Sequence, residues 1–352
     1  MSLLARYAEH LFWLARYVER ASSLARIIEV HLAFDRGRSE EVSWAWLVAL
    51  HSDQERFAQG YSDASLANVI KFYVDDMSNP GSIRFSLRAA RENARALRAV
   101  ISTEMWSQLN EFYNRIRSLK ERDLDPVRLS RTCGQIKDGC YAQLGVTEST
   151  LYRDEGWRFF LLGMMMERAD QTSRLLDVKF AQLQTVGPDL IAPDEVFWLL
   201  VLRSAAAHQA FMRIERRAAG PAKVAQFLLA NGSHPRSVIV CVNQIERLLH
   251  ELRTGFGLRG VNKAQEKAEI LGELIVAAGR NPQVVDRLHG INDRIQRDLI
   301  ELGSELGQAF FGHPPPSGQF QSQSQSLSQS QSSAAPNDGA SPPSNDPSRS
   351  DT

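Results

Sequence analysis

Apolar residues at Leu4, Tyr7, Leu11, Leu14, Val18, Ala21, Ala25, Ile28 and Leu32 recur at alternating steps of three and four. That is the period of an α-helix packed along one seam. Phe12, Trp13, Leu24 and Ile27 fall outside the stripe, so this first helix is expected to be covered on more than one side. The pattern returns on shifting the chain by 148 positions, which sets Phe12 on Phe160, Leu14 on Leu162, Glu19 on Glu167, Arg20 on Arg168 and Arg26 on Arg174. At an offset of 155, Phe72 to Ile83 falls on Phe227 to Val238, aligning Asn79-Pro80 with His234-Pro235. Two offsets in the same order indicate a tandem duplication with a small insertion between the copies.

Between these landmarks the punctuation predicts further helices. Ser39 with Glu40 and Glu41 reads as a start for a helix carrying Trp44, Trp46, Leu47 and Leu50. A short helix is expected from about Asp63 through Tyr73. Asn79-Pro80 supplies a cap and a proline at the first helical position for a long helix to about Val100. Trp106 to Leu119 continues as helix, Asp125-Pro126 opens another to about Leu144, Val238 to Leu252 forms one more, and a last runs from about Pro282 to Phe311. No stretch alternates with period two for long enough to make a strand. The expectation is an all-α helical bundle of two tandem-duplicated halves, about 1–147 and 148–312, packed as one pseudo-symmetric domain. From 313 to 352 the chain turns to Pro, then Gln-Ser repeats; such a segment has too little to bury and reads as a disordered, solubilising tail.

Composition narrows the function classes. The chain has 352 residues, 43% of them hydrophobic, with 41 basic against 41 acidic residues. A balanced charge carries neither the footprint of a nucleic-acid binder nor that of a membrane-surface protein. The longest apolar run, Trp157 to Met166, contains Arg158 and falls short of the roughly 20 residues that span a bilayer. The first residues are interrupted by Arg6, Glu9 and Arg16, unlike the apolar region of a signal peptide. Cys133, Cys140 and Cys241 form neither a disulfide framework nor a metal spacing. A cytoplasmic protein is expected.

The candidate chemistry lies in the two repeated Glu-Arg pairs. On an ideal helix Arg16, Glu19, Ser23 and Arg26 form one strip beside the apolar seam, and Met164, Glu167, Gln171 and Arg174 form the other. Charges placed there require close partners. One reading makes them architectural, Glu19 meeting Arg168 while Glu167 meets Arg20 across the halves. The other turns both strips toward a cleft, where Arg26, Arg174 and Arg91 bind an anionic ligand and Glu19, Glu92 or Glu167 orients an amine or serves as a base. A metal site is not expected, since no Glu-x-x-His or His-Glu-x-x-His spacing occurs and only Asp286-x-x-His289 comes near. His10, His31, His51, His208 and His250 read as surface or core-edge residues. Gly255-x-Gly257-x-x-Gly260 matches a dinucleotide fingerprint but follows a helix instead of a strand, so it reads as a loop. No cofactor is expected.

Taken together, Tyr17-Val18-Glu19-Arg20-Ala21, Asn79-Pro80-Gly81-Ser82-Ile83, Ala90-Arg91-Glu92-Asn93, Arg153-Asp154-Glu155-Gly156-Trp157, Glu167-Arg168-Ala169-Asp170 and Pro235-Arg236-Ser237-Val238 resemble the bacterial alpha-E domain family, all-helical proteins named for a Glu-Arg signature. The resemblance covers about Ser2 to Phe311. It implies a setting more than a reaction: members are often encoded beside, or fused to, circularly permuted ATP-grasp ligases and beside transglutaminase-like proteins. An accessory or binding role in amide or peptide-bond chemistry follows, with an enzyme in its own right or a structural partner as alternatives. One departure is visible. Met164-Met165-Met166 stands where the family commonly has Arg-Tyr-Leu, whereas the first copy keeps Arg16-Tyr17-Val18.

Overall fold

The computed structural model describes residues 3–35, 43–186, 194–215, 220–281 and 283–312. The chain opens on α1 (Leu3–Asp35), followed by the short helices α2 (Ala45–Leu50), α3 (Gln54–Ala58) and α4 (Leu66–Ile70), then α5 (Ile83–Ala96), α6 (Thr103–Arg117) and α7 (Pro126–Thr150). A second long helix, α8 (Glu155–Val186), precedes α9 (Asp194–Ser204), α10 (His208–Glu215), α11 (Pro221–Ala230), α12 (Val238–Thr254), α13 (Asn262–Arg280) and α14 (Leu288–Leu306). Among the described residues there is no strand. The expected disordered tail, 313–352, lies outside the described residues.

α1 and α8 form the axis of the fold. Apart from Tyr17 and Arg20, every residue from Leu14 to Ile28 is buried, because α5, α7 and α8 all pack on α1. α8 is covered in turn by α1, α2, α12 and α14. The short helices cross over: α2 packs on α8, and α9 packs on α1. Where α1 and α8 meet, Gly163 is essential. A Cβ at that position would sit 2.1 Å from the Phe12 carbonyl oxygen, so only glycine allows the two backbones to touch. Leu11 lies against Gly156 and Phe12 against Gly163, so contacts advance in the same direction along both helices. The pair is parallel.

Local chemistry explains most helix starts. Ser82, Ser102 and Ser237 take extended backbone and accept hydrogen bonds from Phe85, Met105 and Val240 amides at 3.2, 3.0 and 3.4 Å, the arrangement that satisfies otherwise orphaned first-turn donors. Asp125 precedes Pro126 at the first position of α7.

Several expectations need correction. Asn79 does not cap α5; its buried side chain instead donates to the Phe72 carbonyl at 3.1 Å and accepts from Gly81 N at 2.8 Å, shaping the turn that delivers Ser82 as the cap. α5 ends at Ala96, short of Val100. The segment from Asp63 to Tyr73 becomes helical only at Leu66 and ends in a wide π-type turn, Lys71–Asp75. α7 continues six residues past Leu144, to Thr150. The last helix begins at Leu288, not Pro282, behind a 3-10 turn at Val284–Arg287, and its end widens into a second π-type turn, Gly307–Phe311. α3, α10 and α13 have no counterpart among the expected helices. The expected start at Ser39 lies outside the described residues, and α2 itself begins at Ala45. His31 is fully buried against Trp46, ring centroids 4.2 Å apart, and belongs to the core instead of its edge.

Candidate functional site

The two Glu-Arg pairs meet where α1 and α8 run side by side, and each glutamate pairs with the arginine of the other helix. Glu167 accepts from Arg20 Nε at 2.6 Å and Nη2 at 2.9 Å, a two-pronged pairing. Glu19 accepts from Arg168 Nη2 at 3.0 Å and Nε at 3.4 Å. Both carboxylates are fully buried. Their peptide neighbours in the sequence, Arg20 for Glu19 and Arg168 for Glu167, point across the helix contact because adjacent helical residues do not share a face.

Each carboxylate takes a second arginine, from a different source. Glu167 receives Arg16 Nε at 2.9 Å, one turn before Arg20 on α1, and Gln171 Nε2 at 3.3 Å. Glu19 receives Arg236 Nη1 at 2.6 Å. Arg236 comes from the turn before α12, which Asn231 rigidifies by accepting from the Ser233 and His234 amides, and which Thr172 of α8 holds by donating to the Arg236 carbonyl at 2.9 Å. Burial pushes both carboxyl groups up, but the paired arginines more than reverse it and hold each at about 2. Two hydrogen-bonded guanidiniums per carboxylate are what a buried anion demands.

Beyond these pairs the surroundings diverge. Near Glu167, Arg174 pairs with Asp170 at 2.9 Å and donates to the Leu50 carbonyl at 3.4 Å. Asp53, raised from its ordinary value by burial, accepts from Tyr73 Oη at 3.1 Å and Arg56 Nη1 at 2.5 Å. His51 also lies within electrostatic reach of Arg174, Arg20 and Glu167, and burial lowers it to about 3, keeping it neutral. Near Glu19, Arg26 is 95% buried. Its Nη2 donates to the Tyr141 hydroxyl, while Nη1 is buried without a hydrogen-bond partner. Arg236 is pushed below its ordinary value by burial, and by the like charges of Arg168 and Arg26, against the pull of Glu19.

Arg91 and Glu92 do not join this network. Arg91 donates to Glu92 at 2.8 Å and Asn110 at 2.7 Å and lies over the rings of Trp106 and Tyr113, tying α5 to α6. Of the eight candidates, Glu19, Arg20, Glu167 and Arg168 form the cross-paired core, Arg26 and Arg174 flank it, and Arg91 and Glu92 stand elsewhere. The missed members are Arg236, Tyr141, Asp53 and His51. Pro235-Arg236-Ser237 was readable as a helix start, but nothing in its spacing shows that the arginine folds back onto α1.

One group among the described residues has ligand atoms spaced for a cation: Asp177, His289 and Asp293, all within 4.8 Å of one another and half-buried. His289 Nδ1 lies 2.9 Å from Asp177 Oδ2, which raises the imidazole above its ordinary value. As arranged, the three tie α8 to α14 by charge. No described helix is long and apolar enough to cross a membrane.

Compared with known proteins, residues 3–311 match a family model described as a predicted alpha-helical domain with a conserved ER motif. No curated protein and no solved structure matches.

Proposed function

Because the chain belongs to the Alpha-E family, we propose that it is a helical accessory or binding subunit in a pathway that forms or modifies amide or peptide bonds. Its partner would be a circularly permuted ATP-grasp ligase, with a transglutaminase-like protein acting on the same material, in the cytoplasm. The observation that carries the accessory reading is the pairing of both signature glutamates. A general base works best with a pKa near the operating pH, whereas Glu19 and Glu167 are held at about 2 with arginines on both oxygens. The motif then serves to join α1 to α8, and recognition falls to the groups around that joint.

The same reading includes descent by tandem duplication. Supporting it are the sequence matches at offsets of 148 and 155 and the reciprocal placement of α2 on α8 and α9 on α1. Such crossed contacts are what a gene-doubled bundle makes when each copy lends a helix to the other.

The test is reconstitution. The purified chain is incubated with ATP and amino acids, alone and with the neighbouring ligase. Ligase turnover or product length that changes only when the chain is added supports the accessory role. Product formed by the chain alone shows an enzyme, and no effect in either arm leaves a structural partner.

A further inference from the structure

The charges around Glu19 do not balance. Arg168 and Arg236 both contact Glu19, and Arg236 Nη1 also reaches Ser23 Oγ at 3.5 Å, one turn before Arg26 on α1. Tyr141 joins the group, accepting from Arg26 and acting on Arg168. Two guanidiniums thus hold Glu19, and a third, Arg26, follows along the same strip of α1 with no carboxylate of its own. The nearby Glu29 is engaged by Lys137 of α7.

The surplus has a sequence cause. Around Glu167, Arg174 is answered by Asp170 four residues earlier on α8, and Asp53 follows the turn at Ser52, where φ is 56°. Four residues before Arg26 stands Ser22, whose buried hydroxyl has no hydrogen-bond partner, and the matching turn at Ala206, φ 54°, is followed by Ala207. Asp170, which answers Arg174, is absent from the Glu19 end, as is Asp53, whose charge is shared with Arg56. Burying an unpaired guanidinium N–H is costly, and Arg26 is held in that state with its Nη1 unanswered.

We propose that Arg26, Arg168 and Arg236, with the Tyr141 hydroxyl, form a binding site for the oxyanion group of a small molecule, a phosphate or a carboxylate. Guanidinium forks match both groups. The net excess of two positive charges favours the phosphate dianion over a single carboxylate. Tyr141 is 48% exposed while the three arginines are nearly covered, so an oxyanion would enter past its hydroxyl. The proposal stands on these side chains alone and is independent of the ligase partnership.

The test uses the full chain in a buffer of weakly coordinating anions at fixed ionic strength. Inorganic phosphate and acetate are titrated separately by calorimetry and by thermal unfolding, with chloride as the control, alongside Ser22→Asp and Arg26→Gln. We expect saturable phosphate binding with a rise in Tm, weaker acetate binding, and affinity at least about tenfold lower in Arg26→Gln, as loss of a charge-assisted hydrogen bond implies. In Ser22→Asp the new carboxylate occupies Arg26, so Tm rises without phosphate and the phosphate response is lost. Acetate binding as tight as phosphate would assign the site to carboxylates. A phosphate response no larger than that of chloride, or one retained in Arg26→Gln, overturns the proposal. If Ser22→Asp does not fold, Arg26→Gln and the wild-type titration decide.

Discussion

Glu19 and Glu167 carry the same signature on parallel helices, yet their surroundings teach different things. Both are fully buried and both hold two arginines. The second arginine of Glu167 is Arg16; 148 positions on, that place is taken by Met164. The second arginine of Glu19 is Arg236; 155 positions back, that place is Gly81. The double pairing is therefore a physical requirement of a buried carboxylate, met from whichever element can reach. The acidic counterions are not replaced in the same way. Asp170 offsets Arg174 beside Glu167, while Ser22 leaves Arg26 beside Glu19 without a carboxylate. One end is closed by charge; the other is left needing an anion.

The largest test of that difference compares Glu19→Gln with Glu167→Gln by urea unfolding at pH 7. Removing one partner of a buried ion pair costs about 3–5 kcal/mol. Glu19→Gln should lie at the upper end, since it leaves three arginines with no carboxylate, and Glu167→Gln lower, since Asp170 and Asp53 remain. Equal losses would erase the distinction.

Acid should act on both ends. Each glutamate is lowered from 4.5 to about 2, so its contribution is complete above pH 4.5 and is lost as pH falls from there toward 2. The shift corresponds to about 3 kcal/mol per carboxylate. Buried His31 and half-buried His51, both lowered from 6.5 to about 3, add a loss that begins below pH 6.5. Stability measured from pH 7 to 3 should fall throughout, and Glu19→Gln should show a shallower fall below pH 4.5 than the parent. An unchanged slope in that variant would show that Glu19 is not held ionised.

A transplant sharpens the comparison further. Arg236→Met should cost about 2–3 kcal/mol as Glu19 loses one of its two cations, and adding Met164→Arg should recover at least half by rebuilding the arrangement found at Glu167. Failure to recover would mean that the two ends are not interchangeable. Gly163→Ala is expected to cost at least about 1–3 kcal/mol, since its Cβ would meet the Phe12 backbone and force α1 from α8. Because both ends hang on that contact, it should weaken them together.

Much of this frame was legible from the residues. The three-four apolar spacing of α1 and its return in α8 reveal two central helices, and the shifted Glu-Arg pairs made a cross-pairing one of two open readings. Geometry was not legible. Helical spacing puts Arg26 and Glu19 on one strip, but whether Arg91 reaches them depends on where α5 lies, and it turns toward α6 instead. Asn79 looked like a cap because Asn-Pro commonly starts helices, yet its amide is spent on the turn and Ser82 caps. Arg236 escaped notice because its partner is more than two hundred residues away. The serine at position 22 gained meaning only beside Asp170.

The cross-pairing itself is tested most directly by double-mutant cycles on unfolding free energy, comparing Glu167 with Arg20 and Glu167 with Arg168, using Glu→Gln and Arg→Met. We expect a coupling of about 1.5–3 kcal/mol for Glu167 with Arg20, hydrogen-bonded across the helices, and less than about 0.5 kcal/mol for Glu167 with its sequence neighbour Arg168. A larger coupling within the motif than across the helices would contradict the cross-pairing.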